Sequence, residues 1–264
     1  MNKVIRAEFG RTINAGLIIA IAGIIFSICF DSFNDLIAGL RNGQEYVGYI
    51  FSNAAFGGMC THYMLPVFTA LPFSVSLCQE RNNKAVSYIV SREEKNRYIF
   101  AKFIVSAISG GFVAACGTVL LFLMLAMRFP IAGDEFEGAV VSDYFHEWSA
   151  VYYPQLYILT LSILAFCRGV IWSSLALCVS LYTSDFMVVF LSPFLGSYVL
   201  VRIFQIIRVP DMVRPDMILI GQVVIKSSGL TLIIAIAISL TIVTLIGAFF
   251  VGKMKEGLKS GTIY

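Results

Sequence analysis

Long apolar blocks that are almost free of charge constrain this chain more than any other feature of its sequence. Only 13% of its 264 residues are charged, whereas 58% are hydrophobic, and most of the charges fall between the blocks. A helix needs about 20 apolar residues to cross roughly 30 Å of hydrocarbon, and its peptide groups must bond within the segment because lipid offers no partners. The sequence therefore predicts an all-α, polytopic membrane protein that forms a single transmembrane domain over residues 1–264.

The apolar blocks predict six transmembrane helices. The second span begins between Ala54 and Tyr63 and ends near Cys78, and it contains Pro66 and Pro72. Proline interrupts a helix because it lacks the backbone donor, so this span is expected to be kinked or irregular. The other five spans are predicted over residues 13–30, 99–127, 154–182, 186–207 and 227–251.

The lysines and arginines predict the orientation of these spans. Twelve of the 19 lie on one side of the six-span arrangement, in residues 3–11, 81–102 and 253–259. The cytoplasmic flanks of membrane helices collect Lys and Arg. We therefore expect a chain in the cell membrane with both termini and the loop 79–98 in the cytoplasm, and with the loop that contains Glu137 outside.

A short apolar segment precedes the sixth predicted span. Met217–Ile225 is apolar but has too few residues to cross a membrane, and Lys226 follows it directly. Residues 208–226 are therefore expected to form a re-entrant or interfacial segment on the outer face. In the alternative, the sixth span begins at Met217 and buries Lys226, which is energetically unfavourable.

Arg168 lies near the middle of the fourth predicted span, fourteen residues after Pro154 and fourteen before Tyr182. At 1.5 Å per residue it is about 21 Å from either end, and an arginine at the centre of a span costs roughly 2.5–3.5 kcal/mol on insertion scales. Trp172, one turn further on, is positioned to stack on the guanidinium. Two hypotheses follow. Arg168 binds backbone carbonyls where the second span is broken, or it faces a water-filled cavity on a translocation pathway and meets an anionic group of a substrate or a lipid phosphate.

The sequence carries no recognisable catalytic or metal-binding motif. Gly247–Met254 matches most of the phosphate-binding pattern G-x-x-x-x-G-K-[ST], but Met254 has no hydroxyl for magnesium and the stretch ends an apolar block. His62 and His146 are too few to predict a zinc site. We therefore expect a non-enzymatic chain that holds no cofactor or metal itself and binds no nucleic acid.

The segment after the second span combines paired charges with an apolar stripe. Glu80 and Lys84 stand one helical turn apart, in the order that favours an ion pair. Val86, Ile89 and Val90 supply an apolar stripe beside polar residues. This pattern is typical of an amphipathic helix at a membrane surface.

The arrangement resembles that of the permease subunits of type-two ABC exporters. The positions that carry the resemblance in this loop are Glu80, Lys84, Ser91, Arg97 and Lys102, and the similar arrangement extends over nearly the whole chain. In that family the loop forms a coupling helix that docks in a cleft of a separate ATPase. The resemblance implies that residues 79–98 form the coupling loop here.

The resemblance also implies partners and roles for other residues. Val86 and Ile89 are expected to pack in a groove of the ATPase, while Glu80 and Arg81 pair at its rim. Residues 1–12 are expected to form an interfacial elbow helix, and residues 208–226 an outer re-entrant hairpin. ATP and magnesium are expected on the partner ABC ATPase subunits. A second copy of the permease, or a homologous permease, is expected to complete the complex within the membrane lipid.

Two other functions are compatible with the composition. The chain could be an ATP-independent channel or secondary carrier, or a non-transporting membrane immunity or assembly factor. A carrier usually has ionisable relays within its spans or paired broken helices, and Arg168 is the one clear candidate in this sequence. Large apolar spans suit lipids, hydrophobic peptides and drugs equally, so the sequence does not name a substrate.

Overall fold

The computed structural model describes residues 2–42, 47, 58–92, 95–129, 153–223 and 225–260. Within these ranges the regular elements are helices and no strand is formed, so the predicted all-α fold is confirmed for them. The α-helices are α1 (Asn2–Thr12), α2 (Ala15–Asp31), α3 (Phe33–Asn42), α4 (Met59–Ala70), α5 (Ser76–Asn82), α6 (Ala85–Arg92), α7 (Lys95–Ala126), α8 (Pro154–Val179), α9 (Phe186–Ile207), α10 (Pro215–Ile220) and α11 (Ser228–Ser260).

Four of the described helices are long and apolar enough to cross a membrane, namely α7, α8, α9 and α11. A fifth crossing is formed if α1 and α2, which meet at a bend of 57°, are counted as one span. These helices indicate a membrane protein with four or five candidate spans among the described residues. Among the residues that the structure describes, the six predicted spans are not all present as helices of sufficient length.

The second predicted span is broken into two short helices. α4 ends at Ala70, residues 71–75 form turns, and α5 begins at Ser76. Pro72 lies in this break and has no N–H with which to continue the helix, whereas Pro66 is accommodated inside α4. The irregularity predicted from the prolines is confirmed, but neither helix is long enough to cross a membrane alone.

Two glycines set the close contact between α7 and α8. A Cβ on Gly169 would lie 2.5 Å from the carbonyl oxygen of Gly110, and a Cβ on Gly110 would lie 2.9 Å from the carbonyl oxygen of Gly169. Backbones can approach this closely only where side chains are absent, which is how helices associate in lipid without a hydrophobic driving force. Around this contact α2, α4 and α11 complete the main core with Ile24, Leu65 and Ala235.

A second core lies at one end of the bundle. It joins the start of α7 and the ends of α8 and α11 to the two short helices α5 and α6. These two helices turn back on each other at Asn83 and Lys84, the latter in the left-handed region at φ 54°. We call this unit, residues 76–92, the α5–α6 hairpin. Fully buried members of the second core are Leu77, Val86, Ile99, Leu177 and Phe250.

The segment between α9 and α11 folds onto the bundle. Arg208 ends α9 in the left-handed region, a 3₁₀ turn follows over Asp211–Val213, and α10 then packs on α8 and α11. Lys226 is exposed and α11 begins at Ser228. The last helix therefore does not start at Met217, and the alternative in which it buries Lys226 is wrong.

Candidate functional site

A buried network of charged side chains joins α1, α5 and α7. The carboxylate of Glu80 accepts hydrogen bonds of 2.6 Å from Lys102 Nζ and from Arg11 Nη1, both at Oε1. Its other oxygen, Oε2, accepts a hydrogen bond of 2.6 Å from the Tyr98 hydroxyl. Glu8 of α1 completes this charged network, with Oε1 3.2 Å from Arg11 Nη1 and Oε2 3.4 Å from Lys102 Nζ.

The charged network is balanced in charge, and three of its four members are closed to solvent. It contains two carboxylates and two cations; the Lys102 side chain has no exposed surface, whereas that of Arg11 is half exposed. The ammonium of Lys102 also lies 4.8 Å from the centre of the Phe73 ring, whose face attracts a cation. Loss of one member from such a site leaves an excess charge buried. The network therefore fixes α1 and α5 against the first turns of α7.

Two further side chains attach the α5–α6 hairpin to the turn between α8 and α9. Arg81 Nη1 donates to the carbonyl oxygens of Ser180 at 2.9 Å and Leu181 at 3.1 Å. Asn82 Nδ2 donates to the carbonyl oxygen of Ser184 at 3.1 Å. Carbonyl groups at a helix C-terminus have no intrahelical donors, so these bonds satisfy the end of α8 while they hold the hairpin in place.

The residues predicted to contact an ATPase lie on two different faces of the hairpin. Glu80 belongs to the charged network, and Val86 is fully buried in the second core. Ile89 is half-buried against the same core. Lys84 and Tyr88 face outwards, and Tyr88 is 72% exposed.

This placement differs from the expected one because the amphipathic stripe packs internally. Arg81 and Val86, expected at the rim and in the groove of a partner, instead hold the hairpin on its own bundle. Among the other positions of the resemblance, Lys102 belongs to the charged network and Arg97 is exposed at the start of α7. The Ser91 side chain lies outside the described residues.

Arg168 lines a cavity between α8, α9 and α11, which we call the Arg168 cavity. Its volume is about 130 Å³, and Trp172 lies in the same wall. Polar groups in the wall come from His62 of α4, Ser197 of α9 and Asp216 of α10. Arg168 and Trp172, which the sequence suggested as neighbours on a pathway, thus line one cavity together.

The guanidinium of Arg168 is buried without a partner in the described part of the chain. Arg168 is only 7% exposed, and it forms no hydrogen bond or ion pair with the described residues. Within the described residues, Arg168 therefore does not bind backbone carbonyls at the broken second span, as one of the two hypotheses expected. A smaller cavity of about 20 Å³ also touches Arg168 and is lined by Thr61, whose buried hydroxyl likewise has no hydrogen-bond partner among these residues.

The carboxylate in the Arg168 cavity is already paired with another arginine. Arg214 donates to Asp216 Oδ2 at 2.7 Å and to Oδ1 at 3.3 Å, and it also reaches Asp211 at 3.2 Å. The hydrogen bond to Asp216 raises the pKa of the Arg214 guanidinium above its ordinary value. Asp216 therefore does not neutralise Arg168 by direct contact.

Sequence reasoning did not assign Glu8, His62 or Asp216 to either site. Glu8 lies 94 residues from its partner Lys102, and His62 and Asp216 belong to segments that the sequence places at the outer ends of spans. The sequence did contain one indication that Glu8 forms an ion pair, since Arg11 follows it at helical spacing on the same face. No local pattern relates His62 or Asp216 to Arg168.

Neither a motif nor a known relative identifies a chemistry at these sites. Gly247–Met254 lies within α11, whereas a phosphate-binding loop must follow a strand and open a helix. Within the described ranges no three His, Cys, Asp or Glu side chains could hold a metal ion together, and His146 lies outside those ranges. Comparison with protein-family models, curated proteins and solved structures finds no match to this chain.

Proposed function

We propose that this chain is the membrane-spanning permease subunit of an ATP-driven ABC exporter and that it couples to a separate ATPase subunit through the α5–α6 hairpin. The observation that carries the proposal is the attachment of this hairpin to four other helices. The charged network joins it to α1 and α7, Arg81 joins it to the end of α8, and the second core joins it to α11. A hairpin held in this way moves with the bundle, as a coupling element must.

The outer face of the hairpin is the surface available to an ATPase. Asn83 and Lys84 at the tip are exposed, and Tyr88 presents most of its ring to the surroundings. Tyrosine is among the residues that dominate binding energy at protein interfaces. In this proposal Lys84 and Tyr88 make the main contacts, Ile89 lies at their edge, and Glu80 and Val86 act from inside the chain by holding the hairpin rigid.

When the ATPase subunits move, the contacts that attach the hairpin to the bundle would move the spans. Displacement of the hairpin would displace α7 through the Lys102–Glu80 contact and α8 through the bonds of Arg81. Since α7 and α8 touch through Gly110 and Gly169, they would move as a pair. ATP and magnesium bind to the ATPase subunits, and a second copy of this chain or a homologous permease completes the translocation pathway.

Site-specific cross-linking tests this proposal. Tyr88→Cys places a thiol on the outer face of the hairpin, and Tyr153→Cys, at the opposite end of α8 and 57% exposed, is the matched control. Both changes are made in a chain whose six native cysteines are replaced. We expect a cysteine-reactive cross-linker to join an ATP-hydrolysing protein to Tyr88→Cys and not to Tyr153→Cys. Cross-linking of such a protein from neither position, or equally from both, would contradict the proposal.

A further inference from the structure

We propose that the Arg168 cavity binds an amphiphile whose anionic oxygen group, a carboxylate or a phosphate, is held by the Arg168 guanidinium. The unpartnered charge is the first argument. Arginine carries five N–H donors and stays charged in proteins, and none of these donors is used by a described residue. A carboxylate or a phosphate matches this planar fork with two parallel hydrogen bonds.

The cavity itself does not supply the anion. Asp216 is the carboxylate in its wall, and Arg214 holds both of its oxygens. The other titratable side chain in the wall is His62, which cannot carry a negative charge. Thr61, which lines the smaller cavity together with Arg168, has a hydroxyl that is also without a partner among the described residues. In the Arg168 cavity itself, the unused donors are those of Arg168.

The size of the cavity limits what can enter. Pockets that enclose a drug-sized ligand have volumes of about 300–1,000 Å³, whereas the Arg168 cavity has about 130 Å³. It has room for a headgroup and the first part of a chain. The rest of the ligand must therefore lie outside the cavity.

The wall of the cavity indicates where the rest of the ligand lies. Apart from the polar groups named above, the wall is mainly aliphatic, with Ile171 and Leu175 from α8 and Ile242 from α11. Leu200 of α9 lines the cavity and is also 38% exposed on the outer surface of the bundle, so the cavity wall continues into the apolar surface there. An acyl chain can pass along this surface between α9 and α11 while its headgroup meets Arg168.

The same wall disfavours a free inorganic anion. Such an ion would exchange its hydration shell for one guanidinium, a few other polar groups and a mainly apolar lining, and burial of a charge with few hydrogen bonds is unfavourable. An amphiphile avoids much of this loss, because burial of its apolar part is favourable. The geometry therefore favours a ligand with a chain over free phosphate.

Fluorescence of Trp172 tests the site in the full chain purified in a neutral detergent. The sequence contains two tryptophans, so Trp148→Phe leaves Trp172 as the single reporter. Bromine on an acyl chain quenches a tryptophan that it touches. The probes are brominated phosphatidylglycerol, brominated diacylglycerol, which has the same chains and no anionic group, and a brominated fatty acid, and inorganic phosphate is added as a competitor. The first and third probes distinguish a phosphate headgroup from a carboxylate.

We expect at least one anionic probe to quench Trp172 with an affinity about tenfold or more above that of diacylglycerol, because a hydrogen bond to a charged group is worth at least this ratio. Arg168→Gln should abolish the preference and Arg168→Lys should keep part of it. Arg202→Gln, which removes an exposed arginine of α9, is the matched control and should keep all of it.

Three results would overturn the proposal. The first is equal quenching by the anionic probes and by brominated diacylglycerol in the unmodified cavity, and the second is a preference that survives in Arg168→Gln protein with a normal helical spectrum. Displacement of the probes by inorganic phosphate at equal concentration would also overturn it, since the site would then take the free ion. The assay uses this chain alone, so its outcome is separate from that of the ATPase cross-linking experiment.

Discussion

The ammonium nitrogen of Lys102 lies 2.6 Å from Oε1 of Glu80, and the whole Lys102 side chain is buried. A buried ion pair stabilises a fold only while its charges balance, and without Lys102 the carboxylates of Glu8 and Glu80 would share Arg11 as their one cation in the charged network. The pair joins the hairpin after the broken second span to the first turns of α7. It therefore sets the position of the surface that we propose for an ATPase.

Removal of the lysine should destabilise the whole chain. We expect Lys102→Met to lower the free energy of unfolding by roughly 3–5 kcal/mol, as is typical when one partner of a buried pair is lost. Lys253→Met is the matched control, since Lys253 pairs with Glu256 at 2.8 Å on the surface and its loss should leave stability nearly unchanged. Unfolding in detergent measures both variants. Equal stability of the two would contradict the role given to the charged network.

Charge reversal at Glu80 and Arg81 distinguishes the contacts seen in the structure from the contacts with a partner that the sequence predicted. With Glu80 and Arg81 at the rim of a partner, Glu80→Lys with Arg81→Glu should uncouple transport and leave the chain folded. In the structure the same change puts a third cation beside Arg11 and Lys102 and places an acid against the carbonyl oxygens at the end of α8. We therefore expect little folded protein in the membrane, whereas Lys84→Glu should leave its amount unchanged. Normal amounts of the doubly changed protein would support the original hypothesis.

Local features of the sequence were sufficient to predict some helices and not others. The span predicted over 186–207 coincides with α9, because Asp185 caps its first turn by accepting from Met187 N at 2.8 Å and Arg208 ends it in the left-handed region. The second span is irregular as predicted, but the sequence did not show that Pro72 would lie in a break while Pro66 is accommodated inside α4. Arg168 was found because a lone charge stands out in an apolar block.

The charged network was not predictable from the sequence, and the reason is distance along the chain. Glu8, Glu80 and Lys102 look like solvated charges in separate polar segments, since their partners lie 22 to 94 positions away, apart from Arg11 beside Glu8. The stripe of Val86 and Ile89 was recognised correctly as an apolar face. Periodicity shows that such a face is covered, but it does not show whether the cover is a partner protein or the chain itself.

Because α7 and α8 are closely packed at Gly169, we expect a side chain at this position to destabilise the chain. In Gly169→Ala the new Cβ meets the backbone of Gly110, which cannot rotate away as a side chain would. We expect a loss of about 1–3 kcal/mol or more in the free energy of unfolding. In the control, Gly252→Ala, nothing lies within 4 Å of the new Cβ, so the helix should gain about 0.5–1 kcal/mol. Unchanged or higher stability of Gly169→Ala would show that the two helices are farther apart.

Thermal unfolding of Arg168→Leu distinguishes an anion site from a structural clamp. An arginine that clamps backbone carbonyls stabilises the bundle, so its loss should lower the melting temperature in every detergent. In the structure the guanidinium has no such partner among the described residues, and we expect Arg168→Leu to melt no lower than the unmodified chain in neutral detergent. An anionic lipid at 100 times its dissociation constant should stabilise the unmodified chain by about 2.7 kcal/mol and leave the variant unaffected. A large drop for Arg168→Leu in neutral detergent would favour the clamp.

Purification of the tagged full-length chain from its native membrane tests the central claim most directly. The account predicts that an ATP-hydrolysing protein with a G-x-x-x-x-G-K-[ST] motif is isolated with the chain in stoichiometric amount. It also predicts that Lys84→Glu with Tyr88→Ala lowers this amount while the chain itself stays folded in the membrane. Isolation of the intact chain with no ATP-hydrolysing partner would contradict the account and leave an ATP-independent carrier or a non-transporting membrane protein in its place.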